Sequence, residues 1–241
     1  MPSDKHTPYY QCLEALTAQG CAICTLTDAA VGRYLDSLIY ESVNDPRVRD
    51  MLRAAKGFCT RHAWQLRRQG GALGIAIIYR DVVADILHTL DQAHFTPPKR
   101  LSTHTVIEAM DKERPASATA ELVRALQDRA LCPACKVEQR TEKTYVDLLL
   151  ENIHREELYR ALESSEGLCL PHLQMALTRL RSEAVYQRLM AAQRQSLARL
   201  LDDLSEMIRR HDYRYQGEGL QEVGDAWIRA IASMVGKQDS S

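Results

Sequence analysis

Two short cysteine patterns recur at a nearly fixed distance, and they constrain this chain more than any other feature. Cys21-Ala-Ile-Cys24 is followed by Gly57-Phe-Cys59-Thr-Arg-His62, and Cys132-Pro-Ala-Cys135 is followed by Gly167-Leu-Cys169-Leu-Pro-His172. Between the arms lie 34 residues in the first copy and 33 in the second. The similarity extends beyond these residues. Tyr34 and Asp36 stand at the same offset from the first Cys pair as Tyr145 and Asp147 from the second, and Leu38 matches Leu149. The pattern reads as a tandem duplication, the kind of internal repeat that decides a fold.

Cys-x2-Cys lets two thiolates chelate one ion from a tight turn. Cys-x2-His does so from the first turn of a helix, where positions i and i+3 share a face. Two such arms make a closed tetrahedral site of the structural zinc type. The expected ligands are Cys21, Cys24, Cys59 and His62 in the first half, and Cys132, Cys135, Cys169 and His172 in the second. Zinc is the favoured ion, with a [4Fe–4S] or [2Fe–2S] cluster as the alternative. A thioredoxin-like redox pair would want a βαβ context that the sequence does not offer. The remaining cysteine of the seven, Cys12, aligns with Val123 and reads as a small buried hydrophobe.

Leu, Ala, Arg, Glu and Gln dominate, aromatics make up 6% and glycines number 11, all of which favours helix over strand. The fold expected is all-α: a duplicated helical bundle, each half stapled by one Cys3His site, plus a C-terminal helix. Helices are expected over 9–18, 28–42, 46–55, 59–68 and from Gly71 to about residue 94 in the first half. The second half has them over 118–130, 136–153, 156–164 and 172–210, with a bend near Arg181-Ser182. Val31, Tyr34, Leu35, Leu38 and Ile39 form one apolar stripe. Asp45 caps the helix that Pro46 opens, and Gly57 and Gly167 stop helices. The halves are residues 1–95 and 118–211, joined by a Pro-containing linker, 96–117, in which 105–112 could form a short helix. A tail, 212–241, carries an amphipathic helix with Trp227, Ile228, Ile231 and Met234 that is expected to pack on the bundle.

With 31 basic and 32 acidic residues the net charge is −1, which gives no electrostatic case for nucleic acid. The first ten residues hold no signal-peptide core, and the longest apolar stretch, about 72–79, is far short of a membrane span. A soluble, cytoplasmic protein is expected, with a protein or small-molecule partner rather than a membrane. Arg210, His211, Tyr213 and Arg214 concentrate cations and phenols after the longest helix. They could contact an anion, though helix-dipole compensation by Arg209 and Arg210 is the simpler reading. Asp36 and Asp147 are read as a shared structural contact, and His6, His88, His94, His104 and His154 as ordinary surface or core histidines.

The twin Cys-x2-Cys and Gly-apolar-Cys-x2-His motifs, with His211-Asp-Tyr-Arg-Tyr215 and the Trp227 helix, resemble an uncharacterised family of bacterial and archaeal proteins. That resemblance covers nearly the whole chain. It implies no activity, but it makes His211 to Tyr215 and Trp227 part of the pattern.

Overall fold

In a computed structural model of the chain, residues 7–67, 71–95, 119–215, 219–220 and 222–236 are described. All regular structure among them is helical, as expected. The helices are α1 (Pro8–Thr17), α2 (Ala22–Ser37), α3 (Pro46–Ala54), α4 (Thr60–Gln65), α5 (Ala72–Asp91) and α6 (Ala120–Gln127). There follow α7 (Pro133–Asn152), α8 (Glu156–Ser164), α9 (Leu170–Arg179), α10 (Glu183–Arg210) and α11 (Ala226–Val235). A π-helical turn, Leu38–Ser42, extends α2, and a 3-10 turn, Tyr213–Tyr215, follows α10. The linker, 96–117, and the short helix expected within it lie outside the described residues.

Local chemistry explains most boundaries. The Asp45 carboxylate accepts from the Arg47 amide at 2.8 Å, and Pro46 supplies the first residue of α3. That helix ends where the Gly57 amide reaches back to the Leu52 carbonyl at 2.8 Å, with Gly57 at φ 84°. The bend expected near Arg181 is the break between α9 and α10, where Leu180 is extended. The helices after the Cys pairs begin earlier than expected, at Ala22 and Pro133 rather than at Asp28 and Lys136. The turn that holds each pair is itself the first helical turn.

Two compact units emerge, residues 1–34 with 137–241 and residues 35–136. They cut across the sequence halves, because α2 and α7 each begin in one unit and end in the other. In the first unit α8 packs against α1 and α10, and α11 rests on α9 and α10. Its core includes Cys12, Leu16, Ile23, Val146, Leu149, Ile153, Leu158 and Leu189. Burying each such leucine or isoleucine is worth roughly 1.5–3 kcal/mol. Burial pushes the Cys12 thiol up to about 12, so this cysteine stays a neutral apolar group at ordinary pH.

In the second unit α5 is the central helix, packed on α3, α6 and the π-helical turn. Leu35, Leu38, Ile39, Leu52, Phe58, Ile78 and Val82 are buried there. A Cβ at Gly74 would fall 2.8 Å from the Ile39 side chain and 3.1 Å from its carbonyl oxygen, so the approach of α5 to the π-helical turn requires glycine.

Candidate metal centres

All eight residues expected as ligands gather into two Cys3His groups, but not in the expected combinations. The first group is Cys21, Cys24, Cys169 and His172; the second is Cys59, His62, Cys132 and Cys135. Each Cys pair therefore meets the Cys-x2-His arm of the other sequence half. The expectation that each half is stapled by its own centre is overturned. The reason lies in α2, whose 16 residues carry the chain about 24 Å from the Cys pair that starts it. From there the chain enters the second unit and leaves Cys59 and His62 in it.

Every arm is built alike. The carbonyl oxygens of Cys21, Cys59, Cys132 and Cys169 accept from the amides of Thr25, Ala63, Lys136 and Leu173, four residues on. Each of these cysteines thus caps a helix, and the second ligand of the arm lies in that helix's first turn. The positive end of the helix dipole favours thiolate there.

The donor atoms of each group all lie within 4.8 Å of one another. In the first centre His172 Nδ1 stands 3.5, 3.4 and 3.1 Å from the sulfurs of Cys21, Cys24 and Cys169. Cys24 and Cys169 sulfurs are 3.7 Å apart. In the second, His62 Nδ1 stands 3.2, 3.7 and 3.4 Å from the sulfurs of Cys59, Cys132 and Cys135, with Cys59 and Cys135 sulfurs 3.6 Å apart.

The donors of each group perturb one another's ionisation. Burial works against charging His172, yet hydrogen bonding to Cys169, Cys21, Cys24 and Glu142 raises its proton affinity far above the usual range. Burial, and then the neighbouring Cys59 and Cys132, push the Cys135 thiol up to about 12. Cys59 is moved the other way: burial opposes its ionisation, but hydrogen bonds from the His62 backbone and the Cys135 and Cys132 thiols lower it. Three sulfurs this close cannot all be thiolates without a positive ion among them.

The surroundings of the two centres differ. In the first, His172 Nε2 faces Glu142 Oε1 at 3.3 Å. Gly236, at φ 89° and ψ 172° just beyond α11, lies over the centre, and a Cβ there would stand 3.6 Å from the Cys24 sulfur. The Gly20 amide ties the first Cys pair to Glu166 at 3.1 Å, and Gln193 brackets Leu168 by bonds to its amide and carbonyl at 2.9 and 3.0 Å. A cavity of about 120 Å³ touches Cys21 and Cys169 and is lined by Glu166, Ser196, Arg199 and Arg229 among others. It is well below the roughly 300 Å³ of a typical ligand pocket. In the second centre His62 Nε2 faces Arg61 Nη2 at 3.0 Å, and Tyr79, whose ring lies 3.1 Å from where a Gly57 Cβ would be, hydrogen-bonds the Phe58 backbone.

Sequence reading missed Glu142, Arg61, Gln193 and Gly236. Only Glu142 had a usable signal, since it lies seven residues after Cys135 and so on the same face of α7.

Three of the four candidate anion contacts are engaged locally. Arg210 donates to Glu206 at 2.7 Å and to the Gly219 carbonyl, His211 meets the Met207 carbonyl, and Arg214 pairs with Asp212. Tyr213 is 80% exposed. Asp147 pairs with Arg179, whereas Asp36 is exposed, so the matched aspartates share no common contact. No helix among the described residues is long and apolar enough to cross a membrane.

Residues 12–241 match the model of a family described as "Family of unknown function (DUF6062)". An uncharacterized 23.9 kDa protein from the xynA 3′ region of Caldicellulosiruptor sp. (strain Rt8B.4) is 24% identical over 232 residues, covering 94% of this chain and all of the relative. No solved structure matches.

Proposed function

The chain belongs to that family of unknown function, and we propose that it is a non-catalytic module built on two zinc ions, each held by a Cys pair and a Cys-x2-His arm that are distant in sequence. The observation that carries this is the spacing of the donor atoms. One ion with Zn–S near 2.3 Å and Zn–N near 2.05 Å sets tetrahedral sulfurs about 3.8 Å apart and sulfur–nitrogen pairs about 3.5 Å apart. Cys24–Cys169 and Cys59–Cys135 sulfurs stand at 3.7 and 3.6 Å, the other sulfur pairs lie within 4.8 Å, and the sulfur–nitrogen pairs stand at 3.1–3.7 Å. A multi-iron cluster would need its ligand sulfurs spread around several metal atoms and bridging sulfides.

Four protein ligands leave a zinc ion no open position for water or substrate, which supports a structural rather than a catalytic role. Zinc would supply folding free energy here by joining helix starts. Trp227, Ile228 and Ile231 of α11 are each more than half exposed, which supports a protein partner for this module. The test is metal analysis of the purified chain with an absorption spectrum. Two zinc ions per chain in a colourless preparation are expected. A brown protein carrying iron and sulfide would replace zinc by clusters, and a metal-free, stably folded chain would remove the reading altogether.

A further inference from the structure

The two groups match in the placement of one sulfur pair but not in access to it. Cys24 and Cys169 sulfurs stand 3.7 Å apart in the first, and Cys59 and Cys135 sulfurs 3.6 Å apart in the second. Each pair joins a Cys-x2-Cys motif to the Cys-x2-His arm of the other sequence half. Cys24 and Cys169 are 8 and 2% exposed. A Cβ at Gly236 would stand 3.6 and 3.9 Å from their sulfurs, so the chain beyond α11 covers them. Of the seven cysteines five are buried, and the two that are half-buried are Cys59 and Cys135.

Exposure and a near partner are what make a cysteine pair reversibly oxidisable. A sulfur that meets peroxide becomes a sulfenic acid, and a second sulfur within reach resolves it as a disulfide before it passes to the irreversible acids. Disulfide sulfurs stand about 2.05 Å apart, so bridging Cys59 and Cys135 takes a movement of roughly 1.5 Å, shared between two side chains. The buried Cys24–Cys169 pair has the same reach without the exposure, and Cys132 is likewise only 7% exposed. Cys59 and Cys135 combine both properties.

We propose that Cys59 and Cys135 are a redox-modification site: a hydroperoxide joins them as a disulfide and so releases the zinc of the second centre, while the first centre keeps its own. The proposal rests on the reading of both groups as zinc centres. It adds a sensing activity to the module, with peroxide as the substrate class.

The chemistry balances with hydrogen peroxide as the oxidant. One of the two sulfurs attacks a peroxide oxygen. The O–O bond breaks, and hydroxide leaves and takes a proton to become water. The other sulfur attacks the resulting sulfenic acid. The S–S bond forms, the S–O bond breaks, and the second oxygen leaves as hydroxide and becomes water with another proton. Two electrons pass from the sulfur pair to the peroxide. Because the thiolate is the metal ligand, only Cys132 and His62 then remain of the four donors, too few for a closed tetrahedral site. The bridge keeps the start of α4 beside the first turn of α7, which leaves the site ready to re-form when a thiol reductant opens the disulfide.

The experiment treats the full chain, loaded with two zinc ions, with hydrogen peroxide. Freed zinc is followed with a dye too weak to strip the untreated chain, and disulfides are located by peptide mass mapping. One zinc of the two should be freed first, in step with one Cys59–Cys135 disulfide per chain, while Cys24 and Cys169 stay reduced. Reduction with zinc resupplied should restore the count of two. Release of both ions together would overturn the proposal while leaving the zinc reading intact. So would a first bridge at Cys24–Cys169 or Cys132–Cys135, loss of one zinc with no bridge at all, or a chain that keeps both ions. A chain that never loads two zinc ions would remove the zinc reading, and this proposal with it.

Discussion

Gly236 shows how much one backbone position can decide. Its φ of 89° and ψ of 172° lie in a region that essentially only glycine occupies, and its backbone lies over the sulfurs of Cys24 and Cys169. Gly236→Ala has space for its methyl group but not the backbone conformation, and the strain amounts to about 1–3 kcal/mol if that conformation is kept. The end of α11 should release instead. Chelator access to the Cys21 centre would rise several-fold while the zinc of the Cys59 centre leaves at its usual rate, and hydrogen exchange would quicken in the last turn of α11. Unchanged release and exchange would show that Gly236 does not hold the cover in place.

At the scale of elements, the crossed pairing of arms makes a stoichiometric prediction. Cys24→Ser should remove one zinc ion. Adding Cys169→Ser should remove no more, whereas adding Cys59→Ser should remove the second. Metal counts showing the reverse would restore pairing within each sequence half. The eight clustered donors were legible because chelation by two arms would impose residue types and spacings that hydrophobic packing does not. Helix identity was legible from apolar periodicity, and Asp45, Pro46 and Gly57 fixed ends where their own chemistry dictates them. The pairing was not legible. Either Cys-x2-His arm offers the same donors, and a 34-residue interval is long enough to return. What decides is the stiffness of α2 and α7 and the packing of α5 on α3 and α6, which spacing does not encode. That α11 packs on the bundle was legible from its apolar face, but that its end meets the Cys24 and Cys169 sulfurs was not.

For the whole molecule, each compact unit has one centre joining helix starts from separate stretches of chain. Removing both ions should therefore loosen both units. In a chain of this size each kcal/mol lost lowers the unfolding midpoint by about 2–4 °C. Structural zinc contributes several kcal/mol even where a core exists, so a drop of roughly 10 °C or more is expected on complete chelation. A melt indifferent to chelation would mean that the hydrophobic cores around Leu149 and Ile78 suffice alone. Partial chelation should separate the effects, because each unit holds its own group of donors.

The crossed arms also bear on how the molecule is made. The ligand sets are nested along the chain, Cys59 to Cys135 inside Cys21 to His172. On the ribosome, then, neither set of donors can be completed from the opening 95 residues alone. The inner set closes once Cys135 has emerged, and the outer set must wait for His172. Until then the earliest thiolates travel without their final company, so the nascent protein is most vulnerable to oxidation and to the wrong metal while its second half is still being translated.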